Sequence, residues 1–234
     1  PFTLADLQGV KEPLAAVVVE LPLRNAGFRA PAWEELVAMS AWCREQGIAF
    51  HLDGARLWET QPFYGRSLAE IAALADSVYV SLYKGLGAPG GALIAGEAAF
   101  LETLKPWRSR MGGNLYTAFP FVLGGLYGLR HFLPRMGDYH AHAVALAEAL
   151  STRDAPWAAD RVMCNSFRQV WPVAAPALAN ALERMAREEG IWCFGRVVPL
   201  PVRDYCFTEM VVGAATLAHS AEAIADRLDR KSVV

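Results

Sequence analysis

The feature that most constrains the fold is a regular alternation of strand-like and helix-like segments in the first half of the chain. The predicted elements are, in order, a strand at residues 14–19, a helix at 33–45, a strand at 48–52, a helix at 67–75, strands at 77–81 and 92–95, and a helix at 98–104. Such an alternation is typical of an α/β domain with a parallel sheet. Ligands of these sheets bind beyond the carboxyl ends of the strands.

The second half of the chain is less regular. Its predicted elements are a helix at 117–133 that Pro134 ends, a helix at 139–150, a strand at 167–171, a helix at 175–188, strands near Ile191 and at 207–212, and a helix at 220–230. The sequence therefore predicts two units, residues 1–135 and a smaller one over residues 136–234. Either an α/β or an α+β arrangement fits the smaller unit.

Charge and composition narrow the choice of partners. The chain has 234 residues, with 22 Lys and Arg against 24 Asp and Glu, and a net charge of −2. So small a charge supplies no field that would draw nucleic acid or an anionic membrane. No apolar run reaches the roughly 18–20 residues that span a bilayer. The four cysteines form no CxxC pair and predict free thiols in a reducing compartment, so we expect a cytoplasmic protein without a nucleic-acid or membrane partner.

The second predicted strand runs into the sequence HLDGAR at residues 51–56. Asp-Gly after a strand is ordinary turn chemistry, so on its own the segment is consistent with a simple turn. Asp53 and Arg56 nevertheless follow a strand end, where parallel sheets bind ligands. The segment is therefore either a turn or part of a site.

The third predicted strand runs into the sequence SLYKGLGAPGG at residues 81–91. Three of its glycines fit the dinucleotide pattern G-x-G-x-x-G, but Pro89 and a following strand stand where that pattern requires a helix. Ser81 and Lys84 fit the S-x-x-K of penicillin-recognising enzymes, but the S-D-N and K-T-G elements that accompany it do not occur. Only four of the 22 basic residues are lysines. A GC-rich genome accounts for this bias, but where arginine is the default cation, a lysine in an apolar setting such as Lys84 is a candidate for a role that needs its amine.

The two segments make chemical sense together. Burial leaves a lysine amine free to condense with an aldehyde cofactor such as pyridoxal phosphate (PLP), which suits Lys84. The ring nitrogen of PLP needs a carboxylate partner, and Asp53 supplies one. We expect Ala55 to lie against the ring and Ser81 to hydrogen-bond the phosphate. Arg56 would bind the carboxylate of a small amino-acid substrate, because its guanidinium pairs with carboxylates in a bidentate manner.

Residues 51–56, followed by the KGLGAP segment at residues 84–89, resemble the L-threonine aldolase and β-eliminating lyase family of PLP fold type I. The resemblance extends over residues 15–130 and is looser beyond them. It implies an α/β fold, namely the large domain of a fold type I PLP-dependent transferase, with a mostly parallel sheet, plus a smaller C-terminal α/β domain. Residues 1–135 would be the C-terminal part of that large, PLP-binding domain.

The resemblance also implies an activity. A member of this family would cleave a β-hydroxy-α-amino acid, such as threonine, to glycine and an aldehyde. Lys84 would hold PLP covalently, Asp53 would pair with the pyridine nitrogen, and Arg56 would help bind the substrate carboxylate. The resemblance further implies a homodimer or homotetramer with sites at subunit interfaces, and no metal site is expected.

Three departures from the family pattern keep alternatives open. The chain begins with Pro1 inside the family's large domain, so the phosphate cradle and the ring-stacking histidine are expected upstream of it. After Gly112 and Gly113 an asparagine, Asn114, stands near the place of a family arginine, and the strand at 207–212 lacks a second carboxylate-binding arginine. The alternatives are another PLP-dependent amino-acid reaction, β-elimination or racemisation, and a catalytically inactive PLP-fold scaffold.

Overall fold

The computed structural model of the chain describes residues 1–153, 161–193 and 195–229. The backbone divides into two units, Pro1–Met136 and Gly137–Val234, at a boundary one residue from the one expected from the sequence. No helix in these three ranges combines the length and the apolar character needed to cross a bilayer.

The first unit is built on a four-stranded, mostly parallel sheet. Its elements are α1 (Leu4–Gln8), β1 (Ala16–Glu20), α2 (Trp33–Gln46), β2 (Ala49–Gly54), α3 (Leu57–Tyr64), α4 (Leu68–Ala72), β3 (Ser77–Ser81), β4 (Ala92–Gly96), α5 (Ala98–Arg110) and α6 (Phe119–His131). The strand order is β1-β2-β3-β4. The first three strands are parallel, and β4 is antiparallel to β3. The mostly parallel sheet predicted from the sequence is therefore confirmed.

The two faces of this sheet differ in burial. Alternate residues of the three parallel strands are buried on one face, as the two-residue period of a strand requires; they are Val17, Val19, Phe50, Leu52, Val78 and Val80. Helix α2 packs against β2 and is itself buried at positions such as Leu36 and Met39. Each fully buried side chain of this size stabilises the fold by about 1.5–3 kcal/mol. The other face carries His51, Asp53 and Tyr79, which are only partly buried.

Helix α3 is a finding that the sequence pattern does not predict. Pro62 lies inside it, and proline removes a backbone hydrogen bond from a helix. Side-chain bonds fix its first turn instead. The Thr60 hydroxyl donates to the Arg56 carbonyl at 2.8 Å, and the Trp58 indole N–H donates to the Ser81 carbonyl at 2.8 Å. Contacts with the end of β3 thus stabilise a helix that its own sequence favours only weakly.

Strand β4 forms one edge of the described sheet and is exposed along its whole length. Its large apolar side chains are Leu93, which is 55% exposed, and Ile94, which is 45% exposed. Backbone pairing with β3, rather than burial of side chains, therefore holds β4 in the sheet.

The second unit has an antiparallel sheet. Its elements are α7 (Met136–Ser151), which begins at the unit boundary, β5 (Ser166–Trp171), α8 (Ala175–Glu189), β6 (Val197–Pro199), β7 (Cys206–Val211) and α9 (Ala221–Arg227). The strand order is β5-β7-β6, and both pairings are antiparallel. Of the two arrangements left open by the sequence for this unit, the structure is the α+β one.

One predicted element of the second unit is wrong. The strand expected near Ile191 is absent, since α8 ends at Glu189, Gly190 follows it in the left-handed region (φ 71°), and the described residues beyond are irregular as far as β6. The strand was predicted because Ile191 and Trp192 are neighbouring apolar residues, a pattern typical of strands. The last predicted helix is present as α9 but ends at Arg227, and Arg230, its predicted last residue, lies outside the described residues.

Candidate active site

The two sequence segments meet at one edge of the sheet. Strands β2 and β3 are parallel neighbours, and Asp53 lies opposite Tyr79 in their register. Lys84 follows β3 by three residues, so it leaves the sheet at the edge where β2 also ends. The parallel pairing therefore brings the segment with Asp53 and the segment with Lys84 together, as the sequence predicts.

Three hydrogen bonds connect the loop after β3 with the end of β2 and the start of α3. The Ser81 hydroxyl donates to the Ala55 carbonyl at 2.6 Å, and the Trp58 indole donates to the Ser81 carbonyl at 2.8 Å. The Gly85 N–H donates to Oε1 of Glu59 at 2.8 Å. The end of β2, the first turn of α3 and the loop after β3 thus form one connected framework.

Lys84 is held in a short, closed loop. The backbone N–H of Gly87 donates to the Lys84 carbonyl at 2.9 Å, and that of Ala88 donates to the Leu82 carbonyl at 2.9 Å. The Lys84 side chain is partly buried, with Nζ 5.4 Å from the centre of the Tyr83 ring, a cation–π distance. It makes no ion pair within the described part of the chain. The loop fixes the backbone of this lysine and leaves its amine without an anionic partner.

The two carboxylate oxygens of Asp53 differ in hydrogen bonding. Its Oδ1 accepts the Ala55 N–H at 3.1 Å, and Oδ2 makes no hydrogen bond among the residues that the structure describes. Burial, a hydrogen bond with Tyr83 and the charge of Asp53 together raise the pKa of the neighbouring Tyr79 to about 12. Oδ2 is therefore a free acceptor among the described residues, as the predicted pairing of Asp53 with a protonated ring nitrogen requires.

Arg56 precedes the first residue of α3, where β2 ends. Its guanidinium lies 5.2 Å from the centre of the Phe28 ring, and Phe28 is itself 1% exposed. This cation–π contact orients the guanidinium without using its charge in an ion pair. No carboxylate of the described chain pairs with Arg56, so the geometry suits the predicted binding of a substrate carboxylate.

Ser81 and Ala55 lie deeper than the other predicted site residues. Ser81 is fully buried, and its single hydroxyl proton is used by the Ala55 carbonyl. Because phosphate oxygens are acceptors, a bond from Ser81 to phosphate would require that proton to turn away from Ala55. Ala55 is 8% exposed. The contacts predicted for these two residues with PLP stay predictions.

Sequence reasoning missed Glu59. This carboxyl group is 2% exposed, and burial raises its pKa. The signal available in the sequence was an acidic residue three positions after Arg56, preceded by the apolar Leu57 and Trp58. That signal has no meaning unless α3 is known to be a helix, and the sequence pattern does not predict α3.

The donor set of this edge fits PLP. Among the residues that the structure describes, it contains a primary amine on Lys84 without an ion pair, a carboxylate on Asp53 with an oxygen that is not hydrogen-bonded, and a guanidinium on Arg56 suited to an amino-acid carboxylate. These are the groups that a PLP-dependent reaction of an amino acid requires from the protein.

Comparison with known families agrees with this geometry. The sequence pattern of the beta-eliminating lyase family matches residues 5–167, which include both segments and most of the chain. The chain belongs to the beta-eliminating lyase family. The family implies PLP as the cofactor.

Individual relatives support the assignment. The chain is 34% identical over 119 residues to the low specificity L-threonine aldolase of Escherichia coli strain K12, a match covering 51% of this chain and 34% of that protein. A solved structure from Listeria monocytogenes, provisionally described as an L-allo-threonine aldolase, is 36% identical with a TM-score of 0.90. It matches 99% of this chain and 65% of its own. The chain thus spans less than two thirds of the length of these relatives.

A more distant structure shows how general the fold is. A serine palmitoyltransferase with bound PLP is 16% identical and has a TM-score of 0.63, with 94% of this chain and 56% of that one covered. At this identity the likeness concerns the fold alone. The fold is that of PLP-dependent enzymes of fold type I, which confirms the fold class expected from the sequence.

Proposed function

We propose that this protein is a PLP-dependent lyase that cleaves β-hydroxy-α-amino acids, threonine-like in structure, to glycine and an aldehyde. The observation that carries the proposal is the meeting of Lys84, Asp53 and Arg56 at one edge of the sheet in a member of this family. The names of the Escherichia coli and Listeria relatives support the choice of substrate class.

Each residue has a separate task in this proposal. Lys84 supplies the amine that binds the cofactor, and Asp53 holds the proton on the ring nitrogen by accepting its hydrogen bond. Arg56 binds the substrate carboxylate through two parallel hydrogen bonds. Ala55 would lie against the ring, and Ser81 would contact the phosphate. When bound, PLP supplies an electron sink for the carbon that loses its partner.

The reaction balances without a further reagent. The bond between Cα and Cβ of the substrate breaks, the hydroxyl proton leaves, and Cβ becomes the carbonyl carbon of an aldehyde. The electron pair stays on Cα, which takes up a proton to give glycine. Arg56 keeps the carboxylate fixed during this change, so that the breaking bond keeps its orientation.

Covalent labelling tests the role of Lys84. The full chain is incubated with PLP, reduced with borohydride, and digested for mass spectrometry. We expect the label on Lys84, loss of the label in Lys84→Ala, and an unchanged label in the control Lys105→Ala, because Lys105 is an exposed lysine paired with Glu102. Label on another lysine, or label that persists in Lys84→Ala, would show that the assignment is wrong.

Product analysis separates the lyase from its alternatives. Glycine and an aldehyde released from threonine or allo-threonine support carbon–carbon cleavage. A keto acid with ammonia would indicate β-elimination, and inversion at Cα alone, which interconverts threonine and allo-threonine of opposite Cα configuration, would indicate racemisation. Covalent PLP without any product would favour the inactive scaffold.

The proposed assembly is a homodimer or homotetramer in the cytoplasm. Helix α6 exposes several large apolar side chains that a partner subunit would cover; they are Phe119, Val122, Leu123, Leu126 and Tyr127. The four cysteines are free, in keeping with a reducing compartment. Light scattering of the full chain with PLP measures its mass, and a monomer at micromolar concentration would contradict the proposed assembly.

A further inference from the structure

Phe28 has a backbone conformation that a bulky residue rarely adopts. It lies in the loop between β1 and α2 with a φ of 64°, which is in the left-handed region. Gly27 before it has a φ of 78°, so two successive residues of this loop are left-handed. Glycine adopts this conformation without steric cost, whereas a residue with a Cβ atom is strained. Such strain persists only where the surrounding structure holds it, and it is concentrated at functional sites.

Backbone hydrogen bonds hold the loop around Phe28 in this conformation. The Leu23 N–H donates to the Arg29 carbonyl at 2.7 Å, and the Phe28 N–H donates to the Leu23 carbonyl at 3.1 Å. The start of the loop is bonded to β2, because the Leu21 N–H donates to the Asp53 carbonyl at 2.8 Å. The backbone of Phe28 is therefore fixed relative to the strand that carries Asp53.

The ring of this strained residue lies against the guanidinium of Arg56. Phe28 is 1% exposed, and the centre of its ring is 5.2 Å from Cζ of Arg56. At this distance an aromatic ring attracts a cation and favours one orientation of it. The attraction leaves the charge of the guanidinium available to a carboxylate. A glycine at position 28 would relieve the strain but would remove the ring, so the position of the ring is what the strain secures.

We propose that Phe28 is a positioning residue for Arg56, and that its left-handed backbone keeps the ring against the guanidinium before substrate arrives. This inference rests on the proposed function, in which Arg56 binds the substrate carboxylate. Phe28 touches neither substrate nor cofactor in this scheme and acts through the arginine. An arginine that is already oriented loses less side-chain freedom when it binds, so the substrate is bound more tightly.

A residue that only fills the core and a residue that positions Arg56 respond differently to substitution. Phe28→Leu keeps a large apolar side chain but removes the aromatic ring. Fluorinated phenylalanine at position 28 nearly keeps the shape of the ring but weakens the negative potential of its face, to which the cation is attracted. The matched control is Phe167→Leu, because Phe167 is also 1% exposed and lies in β5 of the second unit.

Side-chain NMR measures the orientation of Arg56 without PLP or substrate. The Nε–H signal of this arginine is assigned in the full chain by its absence from Arg56→Lys. We expect the signal to be shifted to high field in the wild type, because the guanidinium lies over the ring of Phe28. In Phe28→Leu it should move to the position typical of exposed arginines, and in Phe167→Leu it should stay at the wild-type position.

Steady-state kinetics with PLP and threonine measure the consequence for substrate binding. In Phe28→Leu we expect KM for threonine to rise several-fold while kcat changes little, because the contact acts on carboxylate binding and not on the bond that breaks. Phenylalanines with an increasing number of fluorine atoms at position 28 should raise KM step by step. Phe167→Leu should leave KM at the wild-type value.

Two results would overturn the proposal. An unchanged Arg56 signal in Phe28→Leu means that the ring does not orient the guanidinium, and a KM that is independent of fluorination means that the ring only fills space. Circular dichroism confirms that each variant is folded; should Phe28→Leu not fold, the fluorinated variants supply both measurements. The NMR signal involves neither PLP nor substrate, so its outcome is distinct from failure of the proposed function, which the borohydride label on Lys84 reports.

Discussion

Asp53 and Lys84 are held in place by different means. Asp53 belongs to β2, so its position follows from strand pairing with β1 and β3. Lys84 lies in a loop, where side chains of α3 and backbone bonds of the loop have to supply the same rigidity. The loop that carries the proposed reacting group is thus held in part by the hydrogen bond from Gly85 to Glu59.

Replacement of Asp53 by asparagine separates cofactor binding from turnover. The asparagine side-chain oxygen can still accept the Ala55 N–H, so the end of β2 should be unchanged. PLP should still be fixed to Lys84 by borohydride, while kcat for threonine cleavage falls by orders of magnitude, because the ring nitrogen has lost its negative partner. The measurement is steady-state glycine formation beside the covalent label. Equal kcat values in both proteins would rule out the role proposed for Asp53.

Helix α6 packs closely against the loop of Lys84 through glycines, and the approach is closest at Gly128. A Cβ at Gly128 would lie 2.1 Å from the Leu86 carbonyl oxygen, a backbone atom that cannot turn away. We expect Gly128→Ala to lower the free energy of unfolding by about 1–3 kcal/mol or more, since overpacking forces the backbone to move. Urea unfolding followed by circular dichroism measures this change.

Gly137 provides the matched control for that substitution. It is also a helical glycine, but a Cβ there meets nothing within 4 Å. Gly137→Ala should be neutral or stabilise the protein by up to about 1 kcal/mol, because alanine is the better helix former. Equal losses in the two variants would mean that helix propensity, and not the contact with Leu86, determines the result at Gly128.

Elements with a strong local pattern can be predicted from the sequence, whereas elements that distant contacts stabilise cannot. Strands β1, β2 and β3 have strong apolar patterns. Because the ends of parallel strands share one edge, the sequence also predicts that the segments of Asp53 and Lys84 lie at the same edge of the sheet. Helix α3 could not, since Pro62 weakens its local pattern and contacts with distant residues stabilise it. Glu59 was missed with it. A local pattern is misleading near Ile191 as well. There two apolar residues in an irregular segment resemble a strand in the sequence although the structure forms none.

At the scale of the whole molecule, burial affects a set of weakly acidic groups in the same direction. Burial raises the pKa of the Cys43 and Cys206 thiols above 9.0 and contributes most to the rise of the pKa of Tyr79 from 10.0 to about 12. Because these pKa values are raised in the folded state, the unfolded chain loses its protons first as the pH increases. Ionisation therefore favours unfolding at alkaline pH and has no effect below the unfolded values.

The free energy of unfolding should accordingly fall as the pH rises above 9, where unfolded thiols begin to ionise, and fall further above 10, where unfolded tyrosines follow. Urea unfolding under reducing conditions at a series of pH values measures the slope. Tyr79→Phe should make the slope shallower between pH 10 and 12 and leave it unchanged below 10. A stability that stays constant across this range would contradict the assigned direction.

Strand β4 has a consequence for the behaviour of the chain in concentrated solution. Its five residues, Ala92–Gly96, contain no charge and no proline, are all exposed, and form an edge of the sheet among the described residues. Natural proteins protect such edges with lysine, proline or a bulge, because an unprotected edge accepts a strand from another molecule. Uncontrolled strand addition would therefore begin at this edge. The substitution Ile94→Lys, which places a charge in the middle of β4, would best keep the protein from aggregating.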